Sequence, residues 1–161
     1  MTGPLGPLLW STDALVNRIA EGDERLSLAT NIQGAWTWRS KPFSGFIEYS
    51  HNGLGLEEVD GSMALPEILS RRLQRRQFFN TGTDYLGAGL STQWTALLTV
   101  SPTLLVNIRD RSGIALFSGQ WNASNNDNIV FGILIHFGSN QTEYGSPGNR
   151  AIGYVRWERF F

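Results

Sequence analysis

The stretch TLLVNIRDRSGIALFSGQW, residues 103–121, decides the fold. Thr103 to Arg109 is aliphatic and β-branched, as a half-buried strand requires. Asp110-Arg111-Ser112-Gly113 places Asp first and Gly last, the preference of a type I turn, and Ile114 to Trp121 runs back. The unit is an antiparallel hairpin. Working outward, Leu90 to Val100 reads as a strand broken by Ser101-Pro102. Asn122 to Asn128 is a polar loop, and Ile129 to Phe137 is a nearly continuous apolar strand. Gly138 to Asn149 is a long polar loop before Arg150 to Phe160 closes in alternation. Upstream, Gly34 to Trp38 alternates, and Phe43 to His51 ends at Asn52-Gly53 with Leu54 to Val59 as its return strand. About seven or eight close-spaced strands predict a mainly β chain, an antiparallel up-and-down β-barrel.

Two segments read differently. Ser11-Thr12-Asp13 offers N-cap chemistry, Leu15, Val16 and Ile19 follow at helical spacing, and Gly22 supplies a stop, which predicts a short helix over 11–22 behind a loose terminus at 1–10. Pro66 and Glu67 suit a first helical turn, and Ile68, Leu69 and Leu73 share a face, which predicts an inserted helix over 62–79. Its Arg71, Arg72, Arg75 and Arg76 are read as a solvated face. The whole, 1–161, is expected to be one domain.

Composition narrows the function. The chain of 161 residues carries 13 Lys+Arg against 14 Asp+Glu, so nothing drives it toward nucleic acid or anionic lipid. It has no Cys and two His, which removes thiol chemistry and disfavours a multi-histidine metal site. No apolar run is long enough for a transmembrane helix. The start MTGPLGPLLW lacks a charged region and is broken by two prolines, so a cytoplasmic location is expected. There is no nucleophile elbow and no phosphate loop, and no cofactor is expected.

The order of several short motifs resembles the avidin/streptavidin family of eight-stranded barrels, with a wider likeness to lipocalins. Gly34-Ala35-Trp36-Thr37 with the following Asn-Gly turn is similar to that family's first hairpin. Ser91-Thr92-Gln93 through Pro102-Thr103 resembles the entry to its middle strands, and Val106-Asn107 with Phe117-Ser118-Gly119-Gln120 resembles its central hairpin. Ile152-Gly153 resembles the start of its last strand, and Thr83-Asp84-Tyr85 echoes a lipocalin motif. The resemblance covers 34–53 and 90–161 and implies a ligand inside a barrel. Where the biotin-binding members hold the ureido ring, this chain has Trp38-Arg39-Ser40-Lys41-Pro42, Ile108, Ile133 and Val155. A urea left without partners loses several kcal/mol by the usual cost of unpaired buried polar groups, so the ligand is expected not to be biotin.

Strand alternation names the candidate site. If Trp36 faces in, Trp38 does too; the same rule groups Ala115, Phe117 and Gly119 on one strand, and Phe131, Ile133 and Ile135 on the next. The expected ligand-binding set is Trp38, Tyr49, Tyr85, Ala115, Phe117, Gly119, Ile133 and His136. Of the neighbours Glu48 and Tyr49, Tyr49 is expected inward, because burying the charge costs more. Two functions fit. One is binding of an apolar or aromatic small molecule; the other is a cofactor-independent cyclase or isomerase using the cavity as a template, with Glu48, Tyr49, Tyr85 or His136 as its polar groups. An outer barrel face is expected to be covered, by the extra helices or by another subunit.

Overall fold

The computed structural model describes residues 1–18, 24–56, 70, 74, 80–145 and 150–160. Its strands are β1 (Thr2–Leu5), β2 (Leu8–Arg18), β3 (Glu24–Trp38), β4 (Lys41–His51), β5 (Asp84–Thr95), β6 (Leu98–Asn107), β7 (Ser112–Asn122), β8 (Asp127–Phe137) and β9 (Ala151–Arg159). They form one nine-stranded antiparallel sheet in sequence order. Each strand element contacts only its neighbours in the chain.

Three expectations are corrected. First, the sheet does not close into a barrel: β1 pairs with β2 alone and β9 with β8 alone. Second, the segment expected as a helix over 11–22 is strand as far as Arg18, and residues 19–23 lie outside the described residues. Eleven pairs, from Leu8↔Gly34 to Arg18↔Glu24, give β2 a full ladder on β3. Three apolar residues at helical spacing are a weak signal against that ladder. Third, the supposed loose terminus at 1–10 contains β1 and the start of β2. Of the predicted insertion at 62–79, Ser70 and Gln74 have helical backbone, and the rest, with the four arginines, lies outside the described residues. The expected return strand is not formed by 54–56: Gly53 to Gly55 turn, and Leu56 makes one parallel bridge to Gly82.

The hairpin turns follow local chemistry. Arg39 and Ser40 both have positive φ, 49° and 63°, so the two-residue β3–β4 loop has the primed geometry that matches strand twist. Left-handed backbone costs a side-chain-bearing residue about 1 kcal/mol or more. Stacking of the Arg39 guanidinium 4.7 Å from the centre of the Trp38 ring offsets part of that. The β6–β7 turn occupies 108–111, with Arg111 at φ 59° and its N–H bonded to the Asn107 carbonyl.

Register divides the sheet into two unlike faces. Trp36, Phe43, Thr92, Val100, Gly119, Phe131 and Val155 stand in one cross-strand row, and Ile32, Ile47, Ala88, Leu104, Ala115 and Ile135 in another on the same face. That face is apolar. The opposite face carries Ser44, Ser91, Ser101, Ser118 and Gln120, with Ser91 and Ser101 joined at 2.9 Å and Ser118 donating to the Ser101 carbonyl. Aromatic rings lie across glycines of adjacent strands: Phe131 over Gly119, Phe137 over Gly113, Tyr154 over Gly132, Phe46 over Gly89. Such cross-strand pairs fix register where a glycine offers no side chain. Trp38, Trp94, Trp121 and Trp157 gather at one end of the apolar face, all at least 45% exposed.

Candidate functional site

The apolar face holds a trough of about 620 Å³ across β2 to β8. Its floor is small: Ala88 and Ala115 leave room on β5 and β7, while Leu8 lies over Gly34 and Trp36 reaches over Gly45. Ile32, Trp36, Ile47, Leu104, Phe117 and Ile133 rise around them. Trp36 stacks on Phe43 with ring centres 5.9 Å apart and planes 9° from parallel, which fixes one wall. None of the lining residues is charged. Chemically the trough can bury an apolar or aromatic body and offers little to a polar one.

The predicted residues separate on this frame. Ala115, Phe117 and Ile133 line the trough. Trp38, Tyr49 and Gly119 share its face but lie outside its lining, and Phe131 already covers Gly119. Tyr85 and His136 belong to the other face, opposite Asn107 and Ile114 respectively, so the structure does not bring them to Phe117 and Ile133. The period of 2 decides this: Tyr85 is odd-placed against Leu86 and Ala88, and His136 against Ile135 and Phe137. Glu48 also points to the polar face, and Tyr49 to the apolar one.

Beyond the trough, at the end where β4 finishes and β5 begins, stands a polar cluster that sequence reasoning did not assemble. Asp84, 7% exposed, is directly opposite His51. Its Oδ1 accepts from the Tyr49 hydroxyl at 2.7 Å and lies 2.8 Å from His51 Nδ1. Its Oδ2 accepts from Arg109 Nε at 2.6 Å and from Thr83 at 3.0 Å. Burial pushes the carboxyl up, but hydrogen bonds from His51, Tyr49, Arg109 and Thr83 outweigh it and hold it well below the usual carboxylate range. The same carboxylate raises the Tyr49 hydroxyl, first by accepting its hydrogen bond. His51, the last residue of β4, is thus half-buried on an ion-pair hub.

On the polar face, the loop after β8 is tied down by Glu143. Its carboxylate accepts from Thr81 N–H at 2.5 Å, Thr81 Oγ1 at 2.8 Å, the Tyr85 hydroxyl at 2.7 Å and Asn107 Nδ2 at 2.9 Å. Tyr85 also accepts from Gly82 N–H. Asp110 binds Ser112 twice and takes the Glu143 N–H at 2.8 Å, and Tyr144 donates to Asn80 at 2.8 Å. Tyr85, Asn107 and Ser112 are the most deeply buried large side chains described. Desolvation, then the Glu143 bond, pushes the Tyr85 hydroxyl far up, so it stays a neutral donor. Glu143 lies in the loop expected from sequence, but nothing local marks it as the partner of three distant segments.

Among the described residues no group of three or more His, Asp or Glu side chains is placed to hold a metal ion. Nor is any described helix long and apolar enough to cross a membrane. The fold and these sites define an open antiparallel sheet with one apolar, grooved face and an opposite face of mixed polarity, clamped at one end by a polar loop. Comparison of the chain with protein-family models, curated proteins and solved structures gives no match.

Proposed function

We propose that the chain binds an apolar or aromatic small molecule in the trough, and that this molecule is not biotin. The charge-free trough of about 620 Å³ carries the reading, because its volume falls in the range of small-molecule sites and Ala88 and Ala115 leave room on its floor. Strand alternation supports it, since Ala115, Phe117 and Ile133, grouped by that rule, line the trough. Against biotin stands the lining itself: its polar residues, Gln33 and Thr103, belong to the opposite face by register, so a buried urea finds no side-chain partner.

The test is native mass spectrometry of freshly purified protein beside its Ala115→Phe variant. Ala115 faces Leu104 and Ile135, and a phenyl ring there fills the floor. A small apolar molecule that co-purifies with the parent and is lost from the folded variant supports the reading. Equal retention by both moves the site elsewhere.

One observation favours turnover as a second reading. The His51–Asp84 pair stands on the same face as Ile47, four residues along β4, about 13 Å at the usual strand rise. An elongated ligand in the trough reaches it. His51→Gln then abolishes conversion of the ligand while leaving its binding; unchanged binding with no conversion by the parent protein removes this reading.

A further inference from the structure

The β9 edge carries an inference that does not rest on the ligand. In the β8–β9 ladder, His136 N–H donates to the Arg150 carbonyl and Phe160 N–H to the Asn126 carbonyl. The register between them is unbroken, from Asp127↔Arg159 to Ile135↔Ala151. Alternation in an antiparallel ladder therefore turns the even-numbered residues of β9 toward β8, and the N–H and C=O of residues 151, 153, 155, 157 and 159 toward the open edge. Natural edge strands of this kind are usually short, bulged, proline-bearing or covered. β1, at the other edge, has four residues and Pro4; β9 has nine, in regular register, with no proline. Val155 is 76% and Trp157 62% exposed on it.

We infer that β9 pairs with β9 of a second copy of this chain, antiparallel about a two-fold axis at Val155. That register uses the whole strand: Val155 meets Val155, Gly153 meets Trp157, and Ala151 meets Arg159. On the other face Tyr154 meets Arg156, a cation beside an aromatic face. Gly153 is suited to its place. Gly89, Gly113, Gly119 and Gly132 are each covered by a ring from a neighbouring strand, whereas a Cβ on Gly153 would meet only the Gly132 carbonyl oxygen, at 3.8 Å. The two-fold brings an aromatic residue opposite this bare glycine, as the rest of the sheet does for the others. Trp157 keeps its indole N–H on Asp127 at 3.0 Å, which holds the ring on the strand. Surface area agrees with a partner. The chain exposes 11084 Å², against about 8,000 Å² for a compact monomer of 17.9 kDa by the usual mass scaling. An interface of standard size removes about 800 Å² from each partner, so pairing accounts for part of that excess.

The experiment uses the full chain, which has no native cysteine. Sedimentation at micromolar concentration gives roughly twice 17.9 kDa if the pairing holds. Under mild oxidation Val155→Cys forms a disulfide-linked dimer, since directly opposed hydrogen-bonded residues lie about 5.5 Å apart at Cα, within disulfide reach. Ala151→Cys and Arg159→Cys link only when mixed, which tests the register. Val155→Pro removes an edge-facing donor without touching the β8 ladder, so it gives a monomer with an unchanged far-ultraviolet dichroism spectrum. A monomeric parent chain, as expected if β9 instead closes on its own sheet, overturns the inference. So does linkage at 155 without linkage of the 151/159 mixture.

Discussion

The polar end and the apolar face of this sheet invert the usual relation between chemistry and burial. Where residues 80–85, 107–112 and 138–145 meet, the buried side chains are Tyr85, Asn107, Ser112, Thr83, Asp84, Thr142 and Tyr144. Across the apolar face, Trp36, Ile47, Leu104 and Ile133 remain at least 40% exposed. Burial at the first comes from one loop laid over strand ends and satisfied by carboxylates. On the second face no described element is laid over the strands. Local rigidity therefore belongs to the hydrogen-bonded end, and adaptability to the exposed apolar face.

This contrast is sharpest under substitution. Tyr85→Ala is expected to be the most damaging single change, about 4 kcal/mol, because it empties a site 2% exposed and strips Glu143 and Gly82 of a partner. Chemical denaturation checks it, and a loss under 1 kcal/mol would mean the polar end is not the stable one. Asp84→Asn is expected to cost about 2 kcal/mol at neutral pH, because a nearly buried carboxylate loses its charge-assisted hydrogen bonds to partners that are themselves partly exposed. The parent carries a pH signature here. Asp84 is held below its unfolded value, so its contribution is present above about pH 4 and declines as pH falls toward the folded pKa. Stability measured between pH 6 and pH 2 should fall more steeply in the parent than in Asp84→Asn; parallel curves would remove the hub from the account.

On the other face the expected changes shrink. Gly119→Val forces Phe131 off the glycine it covers and should cost about 1–3 kcal/mol as overpacking, without involving the trough. Ile47→Ser, at a side chain 60% exposed, should alter stability by no more than about 0.5 kcal/mol while weakening any apolar ligand. A large loss of stability there would show that the apolar face is already covered in solution.

The parts of the fold legible in the sequence were those whose signals are local. Asp110 to Gly113 and the two polar loops flanking Ile129 to Phe137 delimit β7 and β8 closely, and alternation placed Ala115, Phe117 and Ile133 on one face. Leu8 to Arg18 misled because its apolar spacing is short and its strand state depends on a ladder to β3 that no local pattern announces. The Asp84 hub and the Glu143 clamp were illegible for a related reason. Each joins residues more than 20 positions apart, Arg109 with Asp84 and Glu143 with Thr81, through hydrogen bonds that leave no periodicity. Barrel closure failed as an expectation because turn chemistry specifies which strands are neighbours, not whether the first meets the last.

The strictly sequential strand order has a consequence for how the molecule is made. Every strand contact joins a segment to the one before or after it, so each hairpin can form as soon as its second strand is available. Most pairings close a turn of only a few residues; β4–β5, which must close residues 52–83, and β8–β9, which must close 138–150, carry the larger entropic cost. The same order leaves no distant contact to hold the ends once they loosen. During synthesis the sheet can grow one strand at a time, and under load it should come apart the same way.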